Sequence, residues 1–377
     1  MFVYLSLFYL PLSLKFFSNF KNINFLKFLI MFTLFLIIGL RHQIGGDFFS
    51  YANIGRFGAY YRSMDDTLLS LIYLFSYEYL HLGIYGVQLI CALIFIISLN
   101  KFLLTLKDYE IGLIIFIPVG IIIGAMGYIS QTLALSFGLL AITQINKKNY
   151  YNYFIFIILS ILSHISGAFF LIFFLVYFNL NKKNLIRVFL LSILSILILY
   201  VINMERINLT LYLYIGPGMH LQSLGALPRF FFSLISALIF LFYIRKKINN
   251  SNERKVYTIY SYLTILLLPL IFIASTFADR INLYLVPFQA YVFTTYVLLL
   301  NNSSLKKLMN SLIIFFYGMT MIVWLLVGSH SHHWVPYKIF PLQYCISLNF
   351  NEYNCEYFSY NRNINFEARG FDLDTPR

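Results

Sequence analysis

The stretch IGLIIFIPVGIIIGAMGYISQTLALSFGLLAITQIN, residues 111–146, carries no Asp, Glu, Lys or Arg over 36 positions. Crossing the hydrocarbon of a bilayer takes roughly 20 apolar residues, at about 1.5 Å of helical rise each. The stretch is too long for one crossing and suits two, turning near Gly124-Ala125-Met126-Gly127. Glu110 stands before it and Lys147-Lys148 after it, so both open ends of the pair are marked by charge.

Apolar runs of the same kind recur outward in both directions. Spans are predicted near 2–17, 25–40, 83–100, 111–127, 128–145, 187–203, 229–244, 256–275, 281–300 and 308–328. Another 33 residues without formal charge, 149–181, lie between Lys148 and Lys182. Their basic flanks point to a tight helical hairpin or re-entrant pair, turning at Ser163-His164-Ile165-Ser166-Gly167. The expected fold is an all-α polytopic integral membrane protein of about 10–12 transmembrane helices. Hydrophobic residues make up 60% and charged residues 11% of the 377 positions. A soluble domain has about a quarter of its residues charged. Because the apolar runs fill the chain, a soluble enzyme with one anchor or signal peptide is excluded.

The net charge of +13 would suit nucleic acid or an acidic surface. Position argues for membrane topology instead, and no nucleic-acid partner is expected. The segments 15–27, 101–110, 147–148, 182–187, 245–255 and 306–307 hold 17 basic residues against three acids. The remaining loops and the tail hold 10 basic residues and 11 acids. Loops rich in Lys and Arg near span ends stay in the cytoplasm. Both termini are then periplasmic, because both possible span counts are even. Residues 41–82, the turns at 124–131 and 163–167, 204–228, 274–280 and the tail face outside. The domain reading is a transmembrane unit over 1–328 with a periplasmic loop at 41–82, and a periplasmic tail at 329–377. Cys345 and Cys355 would share an oxidising compartment there, where a disulfide is open to them. Cys91 lies in an apolar run and reads as core.

The short Lys-rich loops have room for neither a phosphate-binding loop nor a nucleotide fold. His330, His332 and His333 cluster on the outer side without HExxH or CxxC company and read as an interfacial cluster. No metal and no cofactor is expected.

The outer face differs in kind from the inner one. Its basic residues up to position 280 are all Arg: Arg41, Arg56, Arg62, Arg206, Arg229 and Arg280. A guanidinium offers a planar fork that pairs bidentately with phosphate oxygens, which an ammonium does not. Arg41, Arg229 and Arg280 abut span ends, at the depth of lipid headgroups. In Gly39-Leu40-Arg41-His42-Gln43-Ile44-Gly45-Gly46-Asp47-Phe48-Phe49-Ser50-Tyr51 a span ends on an Arg, and two glycines permit a tight turn before an acid and a tyrosine. Such a segment can bind a phosphate and a sugar hydroxyl, or form a plain loop with an Arg41–Asp47 ion pair. Ala278-Asp279-Arg280-Ile281-Asn282-Leu283-Tyr284 repeats the theme, its two charges either pairing or serving a substrate. His164 sits in an apolar segment, as a packing residue or as a group that accepts a proton near neutral pH.

Together these motifs resemble the EpsG-like branch of the Wzy polysaccharide polymerases over residues 35–340. Arg41, Gly45, Gly46, Asp47 and Tyr51 are similar to that family's Arg…Gly-x-Asp…Tyr signature. Met126-Gly127-Tyr128-Ile129-Ser130-Gln131 resembles a second block, with Ser130 where the family usually has Arg. His164 with Ser166 and Gly167 is similar to a His-x-Ser turn, and Arg280, Tyr284 and Pro287 to an Arg-Ile…Tyr…Pro block. The resemblance implies a glycosyltransferase of the bacterial inner membrane. Its donor would be a growing glycan on undecaprenyl diphosphate and its acceptor a lipid-linked repeat unit, with membrane lipid, a flippase and a chain-length regulator as companions. The product would be an O-antigen, a capsule or an exopolysaccharide. Arg41, Arg229 and Arg280 would bind the diphosphate, and Asp47 or His164 would deprotonate the acceptor. Gln131, Tyr51 and Tyr284 would contact substrate.

Three other readings compete. A flippase for the same lipid would have internal repeats and mid-membrane polar groups, whereas here the polar groups gather at outer span ends. A glycosyltransferase using a lipid-monophosphate sugar could use Asp65-Asp66, which otherwise reads as a solvated pair. An O-antigen ligase needs a large outer loop, which is not evident.

Overall fold

The computed structural model describes residues 1–16, 22–56, 66–177, 223, 225–328 and 330–340. Among them the chain is helical, and the only extended pairing recorded is an isolated bridge between Arg41 and Ile339. Helix α1 (Phe2–Tyr9) continues through a 3-10 turn to Ser13–Phe16, and α2 covers Ile23–Gly39. The segment 41–82 contributes α3 (Phe48–Arg56) and α4 (Thr67–Leu74). Next come α5 (Gly83–Leu103), α6 (Tyr109–Phe116) with π-helical turns over Ile117–Ala125, and α7 (Ile129–Asn146). Helix α8 (Tyr150–Ser163) breaks at His164 into a 3-10 run, Ile165–Tyr177. After it come α9 (Ala226–Ile239), extended to Ile244, α10 (Ser251–Leu267) with a short turn at Leu270–Ile273, α11 (Ser275–Leu299) and α12 (Ser303–Val327).

Five of these helices are long and apolar enough to cross a membrane: α5, extended α9, α10 with its short turn, α11 and α12. Shorter apolar helices accompany them, and the whole is an all-α polytopic membrane protein. Large apolar side chains such as Phe28, Phe242, Leu266, Phe272 and Leu326 lie exposed on the outside. A water-soluble protein hides such groups, while a lipid-facing surface requires them. Helix α11 is the most enclosed of the five, packed by α6, α9, α10 and α12.

Local chemistry sets the helix starts at the Lys-rich ends. Asp108 accepts from Ile111 N at 2.9 Å, Asn149 from Asn152 N at 3.1 Å, and Asn302 from Ser304 N at 2.8 Å. Each satisfies an amide that the first turn leaves without a partner. Cross-chain bonds sort the helix ends into two faces. On one, Lys27 lies 4.7 Å over the Tyr109 ring, and Lys255 Nζ donates to the Val176 carbonyl at 3.3 Å. On the other, Tyr4 OH donates to the Trp334 carbonyl at 2.6 Å and the Trp334 indole to the Ile122 carbonyl at 2.7 Å.

The hairpins predicted at 111–146 and 149–181 are present, the second over its described residues 149–177 and turning at His164. Two boundaries differ from expectation. Helix α11 starts at Ser275, not 281, so Asp279 and Arg280 lie inside its first turns. The outer segment, expected as loop, contains α3 and α4, because Phe48, Leu69, Ile72 and Tyr73 pack on Ile84, Val87, Ile129 and Leu133 as a small second core. Residues 330–340, expected to begin a tail, instead pack back: Gly45 N donates to the His333 carbonyl and His42 N to that of Lys338, both at 3.0 Å. The predicted span 187–203, Arg62, Asp65, Arg206, Cys345 and Cys355 lie outside the described residues.

Candidate active site at the Arg-rich helix ends

Helix α2 ends in a carbonyl cluster that attracts a cation. Arg41, one residue past its cap and 2% exposed, fills that place. Its Nη1 donates to the Ile38 carbonyl at 2.5 Å and its Nε to the Met126 carbonyl at 3.0 Å. One guanidinium thus caps α2 and ties it to the turn between α6 and α7. Burial pulls its pKa down to about 10, so it remains charged at neutral pH. The chain then reverses at Gly45, whose φ is +104°. A Cβ there would run into the Met126 carbonyl oxygen, so the turn requires glycine on two counts.

That reversal delivers Asp47 to the start of α3, away from Arg41 and toward Arg280. Burial raises the Asp47 pKa, and the charge of Arg280 opposes the rise. The Arg280 guanidinium sits 5.7 Å from the centre of the Tyr128 ring. Tyr128, in the turn before α7, feels Asp47, Arg280, Asp279 and Arg229 together, and burial pushes its hydroxyl up to about 12. Four charged groups from three separate segments therefore act on one tyrosine.

Arg229 and Asp279 form the wall beside them. Arg229 Nε donates to Asp279 Oδ1 at 2.8 Å and Nη2 to Oδ2 at 2.6 Å, a bidentate fork between α9 and α11. Ser223 Oγ completes the cluster, donating to Asp279 Oδ2 at 3.0 Å and accepting from Arg229 Nη2 at 2.9 Å. Asp279 thus pairs with Arg229 across 50 positions of sequence, while its neighbour Arg280 turns toward Tyr128.

A second polar group lies at the α8 break. Ser166 N donates to His164 Nδ1 at 3.1 Å, and Ser166 Oγ is 2.6 Å from the same nitrogen. Tyr284 OH lies 2.5 Å from Ser166 Oγ and 3.5 Å from the Gln131 carbonyl oxygen. Gly167 has no room for a Cβ against Ser160, which lets the 3-10 run fold tightly onto α8. Tyr51 OH is 3.2 Å from Ser130 Oγ, the position where Arg is usual in the resembling block. The charges of Asp47 and Asp66 both act on Tyr51, and that of Asp66 acts on Tyr284 as well.

The structure gathers Asp47, Tyr51, Arg229 and Arg280 around Tyr128 and Ser130, with His164 and Tyr284 in a linked group reached through Gln131. Arg41 is engaged beneath the loop rather than presented on it, and the Gln131 side chain is buried. Tyr128, Ser223 and Asp66 were missed as members. Tyr128 could have been found from its place between Gly127 and Ser130; Ser223 gave no local signal. Among the described residues no three His, Cys, Asp or Glu side chains converge as metal ligands.

Membrane-crossing helices with Arg and Asp groups held at one set of ends define a polytopic membrane protein. The EpsG family model matches residues 2–339, and the chain belongs to the EpsG family. No curated protein and no solved structure matches it. Membership relates the chain to exopolysaccharide production and to bacterial membranes.

Proposed function

We propose that this chain polymerises undecaprenyl-diphosphate-linked oligosaccharide repeat units by glycosyl transfer at the periplasmic face of the inner membrane. The observation that carries the reading is the Arg280 guanidinium 5.7 Å from the centre of the Tyr128 ring, with its charge acting on Asp47: a cation that suits a diphosphate and a carboxylate that suits a sugar hydroxyl. The donor's anomeric carbon is attacked by a hydroxyl of the incoming repeat unit. A new C–O bond forms, the anomeric carbon–oxygen bond to phosphate breaks, and undecaprenyl diphosphate leaves with the electron pair. The acceptor proton passes to Asp47, whose raised pKa suits it to hold a proton. Arg280 stabilises the charge that grows on the diphosphate. Arg229, locked to Asp279, orients the start of α11 and so positions Arg280.

Disruption of the gene with a glycan gel as readout tests this reading. Single repeat units at the surface support a polymerase. Full-length but unattached polymer supports a ligase, and loss of all surface glycan supports a flippase or an earlier step; either outcome would overturn the proposal.

A further inference from the structure

The hydrogen bonds at the α8 break assign a protonation state to His164. A backbone amide can only donate, so the Ser166 N–H at 3.1 Å requires a lone pair on His164 Nδ1. Ser166 Oγ, 2.6 Å from the same nitrogen, must then donate to it as well. Having spent its proton there, Ser166 Oγ accepts from Tyr284 OH at 2.5 Å. The chain runs one way, Tyr284 to Ser166 to His164, and it leaves the imidazole proton on Nε2. Tyr284 cannot easily release this arrangement, being buried within α11. His164 itself is only partly buried.

We propose that His164 acts as a neutral hydrogen-bond donor through Nε2, toward an oxygen of the lipid-linked glycan, and not as the base that accepts the acceptor's proton. Two donors fixed on Nδ1 oppose a proton arriving there, and Nε2 already holds one. Ser166 and Tyr284 are positioning residues that set the tautomer and the ring plane. This inference rests on the proposed polymerase function for the identity of the ligand, while the tautomer stands on the geometry alone.

Two measurements test it separately. In detergent-solubilised full-length protein labelled with 15N-histidine, long-range 15N–1H spectra should place the His164 proton on Nε2, assigned by its loss in His164→Asn. Ser166→Ala should weaken that preference. A proton on Nδ1 in the wild type overturns the inference whatever the protein's activity. In a strain lacking the chromosomal gene, His164→Gln retains a side-chain N–H donor without a basic nitrogen. It should keep polymer formation within about tenfold of wild type, while His164→Ala and His164→Leu lose at least 100-fold. Equal loss in Gln and Ala, with folded protein in the membrane for both, overturns the donor role. A failed polymerase reading shows up differently: disruption of the gene would then leave unattached polymer or no surface glycan instead of single repeat units.

Discussion

Arg229 and Asp279 face each other in a two-bond fork, with Nη2 to Oδ2 at 2.6 Å, and this pair ties α9 to α11 at the end where the functional groups gather. Both side chains are largely withdrawn from solvent, at 7% and 21% exposure. Leaving either charge unpartnered at that depth is costly, on the order of 3–5 kcal/mol for a buried pair. Asp279→Ala is therefore expected to lower the unfolding temperature of the detergent-solubilised protein by several degrees. Arg229→Lys, which keeps the charge but loses the fork, should fall between it and wild type.

Arg41 gives a contrasting expectation. Its two bonds to the Ile38 and Met126 carbonyls are structural, and each charged donor contributes about 1.5–3 kcal/mol. Arg41→Ala should reduce the amount of folded protein in the membrane, measured by fluorescence-detected gel filtration. Arg280→Ala should leave that amount unchanged and abolish polymer.

The two glycines before Asp47 should behave differently. Gly45 has a positive φ and a carbonyl oxygen where a Cβ would stand, whereas Gly46 has only ordinary contact with Trp334. Gly45→Ala is expected to destabilise by more than the roughly 1–3 kcal/mol of backbone strain alone. Gly46→Ala should be near neutral in the same thermal assay.

Asp47 carries a pH signature. Burial raises its folded pKa above the ordinary value, so the folded state favours the protonated form more than the unfolded chain does, and ionisation at neutral pH works against folding. Asp47→Asn should therefore raise the unfolding temperature while eliminating polymer. In the wild type, activity should disappear as pH falls through that raised pKa, earlier than an exposed Asp would allow. Because Arg280 holds the pKa down, Arg280→Gln should move the acid limb of any residual activity to higher pH. An unmoved limb would separate the two residues.

The parts of the molecule legible in the sequence were those encoded locally. Uncharged stretches bracketed by charged residues gave the hairpins at 111–146 and 149–181, the second described to 177, and Gly and His at 163–167 marked a real turn. The start of α11 was misjudged because Asp279 and Arg280 read as span-ending charges, when a partner on α9 accommodates one of them inside the helix. Pairing across 50 positions leaves no trace in a local window. Arg41 and Asp47 looked like partners because they are near in sequence. The positive φ at Gly45 turns the chain between them, so that Arg41 serves the bundle beneath while Asp47 comes under the charge of Arg280. Helices α3 and α4 were hidden for a similar reason, since part of the cover of their apolar faces comes from α5 and α7, further along the chain.

Reconstitution provides the most direct examination of the polymerase reading. Purified chain in proteoliposomes would receive lipid-linked repeat units extracted from a strain lacking the gene, and the glycan would be resolved on a gel. A ladder of increasing length, formed without nucleotide sugar and absent with Arg280→Ala, is the predicted result. Unchanged single units with wild-type protein that is folded and correctly inserted, or an identical ladder from Arg280→Ala, would contradict it.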